Sequence, residues 1–261
     1  MGALRDKVIV VTGASRGLGE AMALGFASEN ATLVLAARTV PDLERVADAC
    51  REAGAGDVKV VPTDITSEEQ VQHLVDETLS AFGRIDTFVA NAGASYLTWT
   101  EERFGHLTTY PREIVERLFE LNTIGTWLCM KAALPAMKEG SSFINVGSET
   151  GRLAMAGMGF YAVSKATIDT MTTIASKEMA DQGVRVNCLT PGGMVDTHLF
   201  GPNKMPPQMR ERVPHQPPDV IVPAAIWLAS DDSRDVNGAF VVGREFNSRP
   251  VEETRAALVT S

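Results

Sequence analysis

The stretch Thr12-Gly13-Ala14-Ser15-Arg16-Gly17-Leu18-Gly19 follows directly on Val8-Ile9-Val10-Val11 and leads into an amphipathic segment. A β-branched run that turns on glycines into a helix is built to hold an anion. Glycines let the backbone turn tightly and approach a ligand, and the helix N-terminus offers free N–H groups and the positive end of its dipole. The order G-x-x-x-G-x-G lacks the Gly-Lys-Ser/Thr ending of a P-loop and differs from the G-x-G-x-x-G dinucleotide fingerprint. Residues 13–17 also satisfy G-x-S-x-G, the nucleophile elbow of hydrolases. That elbow needs an oxyanion-hole loop upstream, but only twelve residues precede Gly13. It also needs an acid and a histidine downstream. His73 lies in a helical pattern and His106, His198 and His215 in loops, so all four read as structural or solvated.

Outward from this turn, short apolar runs alternate with longer amphipathic stretches along the whole chain. Strands are expected at residues 8–11, 32–36, 58–61, 87–90, 142–146, 185–189 and 240–242. They show little alternation, as strands covered on both faces do. Helices are expected at 19–28, 42–52, 68–82, 112–138, 161–181 and 220–230. Pro41-Asp42 and Thr66-Ser67-Glu68-Glu69 read as the starts of two of them. Strand–helix repetition predicts right-handed crossovers and an α/β, doubly wound sheet of about seven parallel strands with helices on both faces. The 261 residues suit one dinucleotide-binding and catalytic domain. Two stretches break the pattern: 94–111, and the Pro-, Gly- and Met-rich 192–218, which reads as a substrate lid. Both follow strand C-termini, where ligands bind in open α/β sheets.

Bulk properties narrow the function. Thirty-three acidic residues against 24 basic ones leave a net charge of −9. No basic cluster offsets it, so neither nucleic acid nor an anionic membrane is an expected partner. Cys50, Cys129 and Cys188 form no C-x-x-C pair, which argues against a disulfide framework or a metal site. No secretory signal and no run of about 18 apolar residues is present, so a cytoplasmic location is expected.

The second strand ends Leu35-Ala36-Ala37-Arg38, without the acid that binds the adenosine ribose in NAD sites. Arg38 offers a planar fork of donors suited to a 2′-phosphate, and Arg16 in the glycine turn can approach the same group. NADP(H) is therefore preferred over NAD(H). Asp64-Ile65 and Asn91-Ala92-Gly93 end the third and fourth strands on the same side of the sheet. A carboxylate there can accept from the adenine amino group, and Gly93 lets the backbone pass close to a ribose.

Tyr161 and Lys165 lie four residues apart on a predicted helix and share one face. Ser148 ends the preceding strand, and Asn122 sits inside a helix where its propensity gives no reason for it. A phenol of ordinary pKa about 10 needs help to exchange protons at neutral pH. One positive charge at about 4 Å, at an effective dielectric near 20, favours the phenolate by about 4 kcal/mol. Lys165 and an oxidised nicotinamide can each supply that charge.

The joint order of Thr12-Gly13-x-x-x-Gly17-x-Gly19, Asn91-Ala92-Gly93, Asn122, Ser148, Tyr161-x-x-x-Lys165 and Pro191-Gly192 resembles the short-chain dehydrogenase/reductase family over nearly the whole chain. The resemblance implies a Rossmann-like fold and hydride exchange between a nicotinamide and a carbonyl or alcohol carbon. It implies that Ser148 polarises the carbonyl, that Tyr161 transfers the proton, and that Lys165 binds the nicotinamide ribose. Asn122 would hold a water serving Lys165. Gly13, Ser15, Arg16, Gly17, Leu18 and Gly19 would line the pyrophosphate, and Pro191, Gly192 and Met194 would meet the carboxamide. The chain departs from the family pattern at Ala90 and Gly147, which stand where a second Asn and a second Ser are common. Thr197 comes one residue later than usual, and Gly243-Arg244-Glu245 replaces Asp-Gly-Gly.

Tyr96, Trp99, Phe104, Met155, Met158, Leu199, Phe200, Met205 and Met209 are expected near the site, either facing a bulky apolar substrate or sealing the loops. The helices 112–138 and 161–181 resemble those that pair subunits in the family, so a homodimer or homotetramer is expected. Two alternatives stay open: imine reduction on the same scaffold, and a regulator that senses NADP(H) without turnover.

Overall fold

The computed structural model describes residues 2–104, 106–154, 157–197, 199 and 215–259. Its strands are β1 (Val8–Thr12), β2 (Thr32–Ala37), β3 (Asp57–Pro62), β4 (Thr87–Ala90), β5 (Ser142–Val146), β6 (Arg185–Thr190), β7 (Met194–Val195), β8 (His215–Gln216) and β9 (Phe240–Val242). Seven of them form one sheet in the order β3-β2-β1-β4-β5-β6-β9. Every pairing in it is parallel.

The helices are α1 (Gly17–Ser28), α2 (Val40–Glu52), α3 (Glu68–Phe82), α4 (Arg112–Phe119), α5 (Gly125–Ala133), α6 (Glu149–Arg152), α7 (Gly159–Glu178), α8 (Val222–Ala229), α9 (Gly243–Phe246) and α10 (Val251–Val259). Successive strand residues point to opposite faces, and β1 divides accordingly. Ile9 and Val11 enter a buried layer with Met22 and Phe26 of α1, Leu43 and Val46 of α2 and Leu228 of α8. Val10 enters the opposite layer with Leu74 of α3, Leu128 of α5 and Ala175 of α7. A sheet covered on both faces needs apolar residues at every position, which is why these strands lack alternation. In the second layer Phe88 and Phe143, register partners on β4 and β5, stack with centroids 5.3 Å apart.

Several local signals behave as the sequence predicts. Ser67 caps α3, its hydroxyl accepting from the Gln70 N–H at 3.4 Å. A proline stands in the first turn of α2, which begins at Val40 rather than at Asp42. Two expectations need correction. The helix expected over 112–138 is α4 and α5 joined by a π turn, Glu120–Ile124, and it ends at the 3-10 turn Leu134–Ala136. His215 lies in β8, paired with Met194, rather than in a loop.

Strand order reverses between β1 and β4, so the connections leaving their C-terminal ends diverge and open a crevice. The glycine turn and Asn91-Ala92-Gly93 flank that crevice. The residues 198 and 200–214 of the expected lid, and Met155, Phe200, Met205 and Met209, lie outside the described residues.

Candidate active site

The floor of the crevice is a backbone-to-backbone contact. Gly13 has φ +65°, and a Cβ there would lie 2.9 Å from the Cα of Ala92. No side chain fits. The two turns are clamped by Thr12 and Asn91. The Thr12 hydroxyl accepts from the N–H groups of Asn91 (3.0 Å) and Ala92 (3.2 Å) and donates to the Val89 carbonyl (3.2 Å). The Asn91 amide donates to the carbonyls of Thr12 (2.8 Å) and Gly13 (3.3 Å). The Asn91 side chain thus shapes the glycine turn and leaves the ligand surface to Ala92 and Gly93. Arg45 of α2 adds a brace that the sequence reading missed. It pairs with Glu20 of α1 at 2.6 Å and donates to the Ser15 carbonyl at 3.1 Å.

Arg16 precedes α1 in extended conformation and makes no side-chain cap. The first-turn N–H groups of a helix then remain for a ligand anion. Leu18 is partly buried and packs against the core layer of α1 and α2. Arg16 and Arg38 are both exposed, and neither guanidinium has an ion pair or hydrogen bond among the described residues. Asp64 is partly engaged: one carboxylate oxygen accepts from the N–H and hydroxyl of Thr66, at 3.0 and 2.8 Å. Ile65 beside it is buried, against Gly125.

At the far end of the crevice, a Cβ on Gly93 would stand 3.0 Å from Asn122 Oδ1 and 3.3 Å from Lys165 Nζ. The strip from the α1 N-terminus to Lys165 is therefore lined by backbone. It fits an extended dinucleotide. Asn122 occupies the π turn, where its side chain accepts from the Ala94 N–H (2.9 Å) and donates to the Ala94 carbonyl (2.9 Å) and the Ser164 hydroxyl (3.0 Å). This explains its place inside a helix: it ties the β4 exit to α7. Its backbone carbonyl accepts from the Thr126 hydroxyl at 2.8 Å.

Ser148 caps α6, a helix that the sequence did not announce, and its hydroxyl lies 2.8 Å from that of Thr150. Tyr161 is buried. Burial pushes its phenol up to about 12, and a hydrogen bond with Ser148 acts in the opposite direction. Lys165, also buried, donates to the Val146 carbonyl at 3.0 Å. Burial drives its ammonium down to about 8, while charge on Cys188 and on Asp169 would pull it up. The Lys165 ammonium is turned to the Val146 carbonyl, and burial and Ser148 act on the phenol.

An aromatic wall stands behind Tyr161. Tyr96 and Phe104 are buried with it, Ile114 and Leu118, with Trp99, Met158 and Leu199 packed alongside. Tyr110 lies 5.4 Å from Tyr96, 4.8 Å from Phe104 and 5.4 Å from Phe160, ring to ring. Tyr110 and Phe160 join two of the longest-separated parts of this wall, a role visible only in three dimensions. Burial raises the Tyr110 phenol to about 12, with a smaller contribution from Tyr96.

The Pro191-Gly192 loop is held from outside. The Pro191 carbonyl accepts from the Arg244 N–H at 3.1 Å, and the Gly192 carbonyl from Gln216 at 3.0 Å. Met194 sits in β7 beside them. The Thr197 hydroxyl accepts from the Leu199 N–H at 3.4 Å, and its methyl faces Gly17.

A family model described as short chain dehydrogenase matches residues 7–206. The chain belongs to the short-chain dehydrogenase family. An uncharacterized oxidoreductase of Staphylococcus aureus is 37% identical over 201 residues, covering 76% of this chain and 82% of the relative. Another, YxbG of Bacillus subtilis, is 32% identical over 253 residues, covering 91% and 89%. A short-chain dehydrogenase/reductase from Mycobacterium marinum superposes with a TM-score of 0.83 at 26% identity, over 95% of this chain and 97% of that one. Levodione reductase gives 0.83 at 25% identity, over 94% and 100%. As a member of this family the chain is an oxidoreductase of CH–OH and C=O groups that uses a nicotinamide cofactor. Among the described residues no helix is long and apolar enough to cross a membrane.

Proposed function

We propose that the chain is an NADP(H)-dependent carbonyl reductase in which Ser148, Tyr161 and Lys165 carry the chemistry. The observation behind this is the meeting of the half-buried Ser148 hydroxyl, the buried Tyr161 phenol and the buried Lys165 ammonium at the end of a crevice lined by backbone. The bound nicotinamide supplies the hydride for reduction. Ser148 and Tyr161 bind the carbonyl oxygen between their hydroxyls. A phenol held near 12 keeps its proton throughout the neutral range, so Tyr161 is poised to donate it to the developing alkoxide. Lys165, whose ammonium stands beside Gly93, would hold the ribose hydroxyls and lend its charge to the Tyr161 phenol. Asn122 positions this end of the site and would hold a water beside Lys165.

Arg38 and Arg16 support the choice of NADP(H), as exposed guanidinium groups without partners among the described residues. Asp64, Ile65, Ala92 and Gly93 line the adenosine half, and Pro191, Gly192 and Met194 the carboxamide. Tyr96, Trp99 and Phe104 make the wall apolar, which suits a bulky hydrophobic ketone. NADPH absorbance followed against ketones, quinones, steroids and imines tests the reading: consumption with apolar ketones is expected. A protein that binds NADPH and consumes it with none of them would overturn it.

Exposed Ile124 and Trp127 on the π turn and α5, with Val163 and Ile174 on α7, we assign to pairing with a second copy, as the family commonly oligomerises. Sedimentation is expected to read a dimer or tetramer; the mass of one chain would contradict this. We place the whole chain in one domain, acting in the cytoplasm on a small molecule.

A further inference from the structure

Lys165 is not alone beneath the strand ends. One turn further along α7, Asp169 is half-buried and accepts from the Cys188 thiol of β6 at 3.8 Å. Both lie against Gly147, the residue that follows β5. A Cβ on Gly147 would stand 2.5 Å from Cys188 Sγ and 3.4 Å from Asp169 Oδ1. The departure at Gly147 thus has a steric cause: the thiol that holds Asp169 fills the space a serine would take. From α6, Arg152 lies over the Phe240 ring, 4.1 Å from its centroid, and its charge reaches Asp169.

We propose that Asp169, held by Cys188 through the gap at Gly147, is a positioning residue that keeps the buried Lys165 ammonium charged. The claim rests on Lys165 serving Tyr161 as described above. A buried ammonium without a counter-charge loses its proton. Among the described residues, Asp169 on its own helix and Cys188 on β6 act on Lys165, which donates to the Val146 carbonyl; Tyr161 stands one turn before it on α7, and Arg152 of α6 acts on Asp169. Tyr161 is neutral in the working range. Burial pushes the Cys188 thiol well above its ordinary value, so it too is neutral near pH 7. Burial lifts Asp169 to about 6, opposed by Arg152, the Cys188 hydrogen bond and Lys165. At neutral pH its carboxylate is therefore ionised. It is the negative charge of this set that acts on Lys165.

Asp169→Asn removes the charge and keeps an acceptor for the thiol. The titration of Lys165, read from 13Cε-labelled lysine in the cofactor-free protein, is expected to move down by about one pH unit. The alkaline limb of kcat/KM for reduction should move with it, and Asp169→Glu should return both toward wild type. In the wild-type protein the Lys165 signal should also show a small second inflection near pH 6, as Asp169 takes up its proton. An unmoved Lys165 titration in Asp169→Asn overturns the proposal. Should that variant not fold, a single inflection in the wild-type protein does so. The cofactor-free titration needs no turnover. A protein with the coupling but no carbonyl reduction would sink the functional reading alone, and a reductase with an uncoupled lysine would sink only this one.

Discussion

Tyr161→Phe is expected to lower kcat for carbonyl reduction by about 10²- to 10⁴-fold, the range of a lost general acid. Cofactor affinity should stay nearly unchanged. The substitution removes one oxygen and leaves the ring in its cluster with Phe104, Ile114 and Leu118, so the wall behind the site survives. What disappears is the proton donor and half of the pair that holds the carbonyl oxygen. Ser148 remains, yet its hydroxyl is shared with Thr150 and its ordinary acidity is far too low to replace a phenol. The wild-type pH profile supplies the companion reading. The folded phenol titrates only near 12, so it does not limit reduction at neutral pH. Lys165 titrates near 8, and its charge is present below that value and lost as pH rises through it. Reduction is therefore expected to decline above pH 8 in the wild-type enzyme. Steady-state rates across pH, with fluorescence titration of NADPH against the variant, check both. A variant retaining more than about a tenth of wild-type turnover would remove Tyr161 from the chemistry.

The sheet was legible because burial on both faces leaves a plain mark: Val8-Ile9-Val10-Val11 has no polar position to confuse with a loop. All seven main strands fall within a residue of their sequence-based bounds for that reason. Helix interruptions left no such mark. The π turn at Asn122 changes nothing in apolar periodicity over 112–138, since its cause is a pair of hydrogen bonds to Ala94, 28 residues away. Likewise α6 has four residues, too short for any period to register. Within the site, Ser148, Tyr161 and Lys165 were found because spacing along a helix and a strand end is local. Arg45 and Asp169 were not. Each acts across elements, one bracing the glycine turn from α2 and the other meeting β6. The hydrogen bonds by which the Asn91 side chain fastens the glycine turn left no mark in the sequence either, because they join two turns 79 residues apart.

Arg38→Ala is expected to weaken NADPH binding by about 10- to 150-fold, the worth of one charge-assisted hydrogen bond of about 1.5–3 kcal/mol. NADH binding should change little. The argument turns on what the guanidinium lacks. Arg45, on the same side of the sheet, is committed to Glu20 and Ser15. Arg38, just past β2, is exposed with no partner among the described residues, so no internal ion pair must be broken before it meets a phosphate. Its removal also leaves no buried carboxylate stranded, and the fold should be as stable as before. Arg16 stands in the glycine turn, uncommitted in the same way, so the single variant keeps part of its preference. The double variant Arg16→Ala, Arg38→Ala should bind the two cofactors about equally. Screening sharpens the test, because a phosphate held at an exposed site weakens with salt. NADPH affinity of the wild-type protein should fall between low and moderate ionic strength, and that fall should shrink when Arg38 is gone. Titrating both cofactors into wild-type and variant proteins at two salt concentrations reads all of this. Equal losses for NADPH and NADH would show that Arg38 supports the pocket rather than the 2′-phosphate.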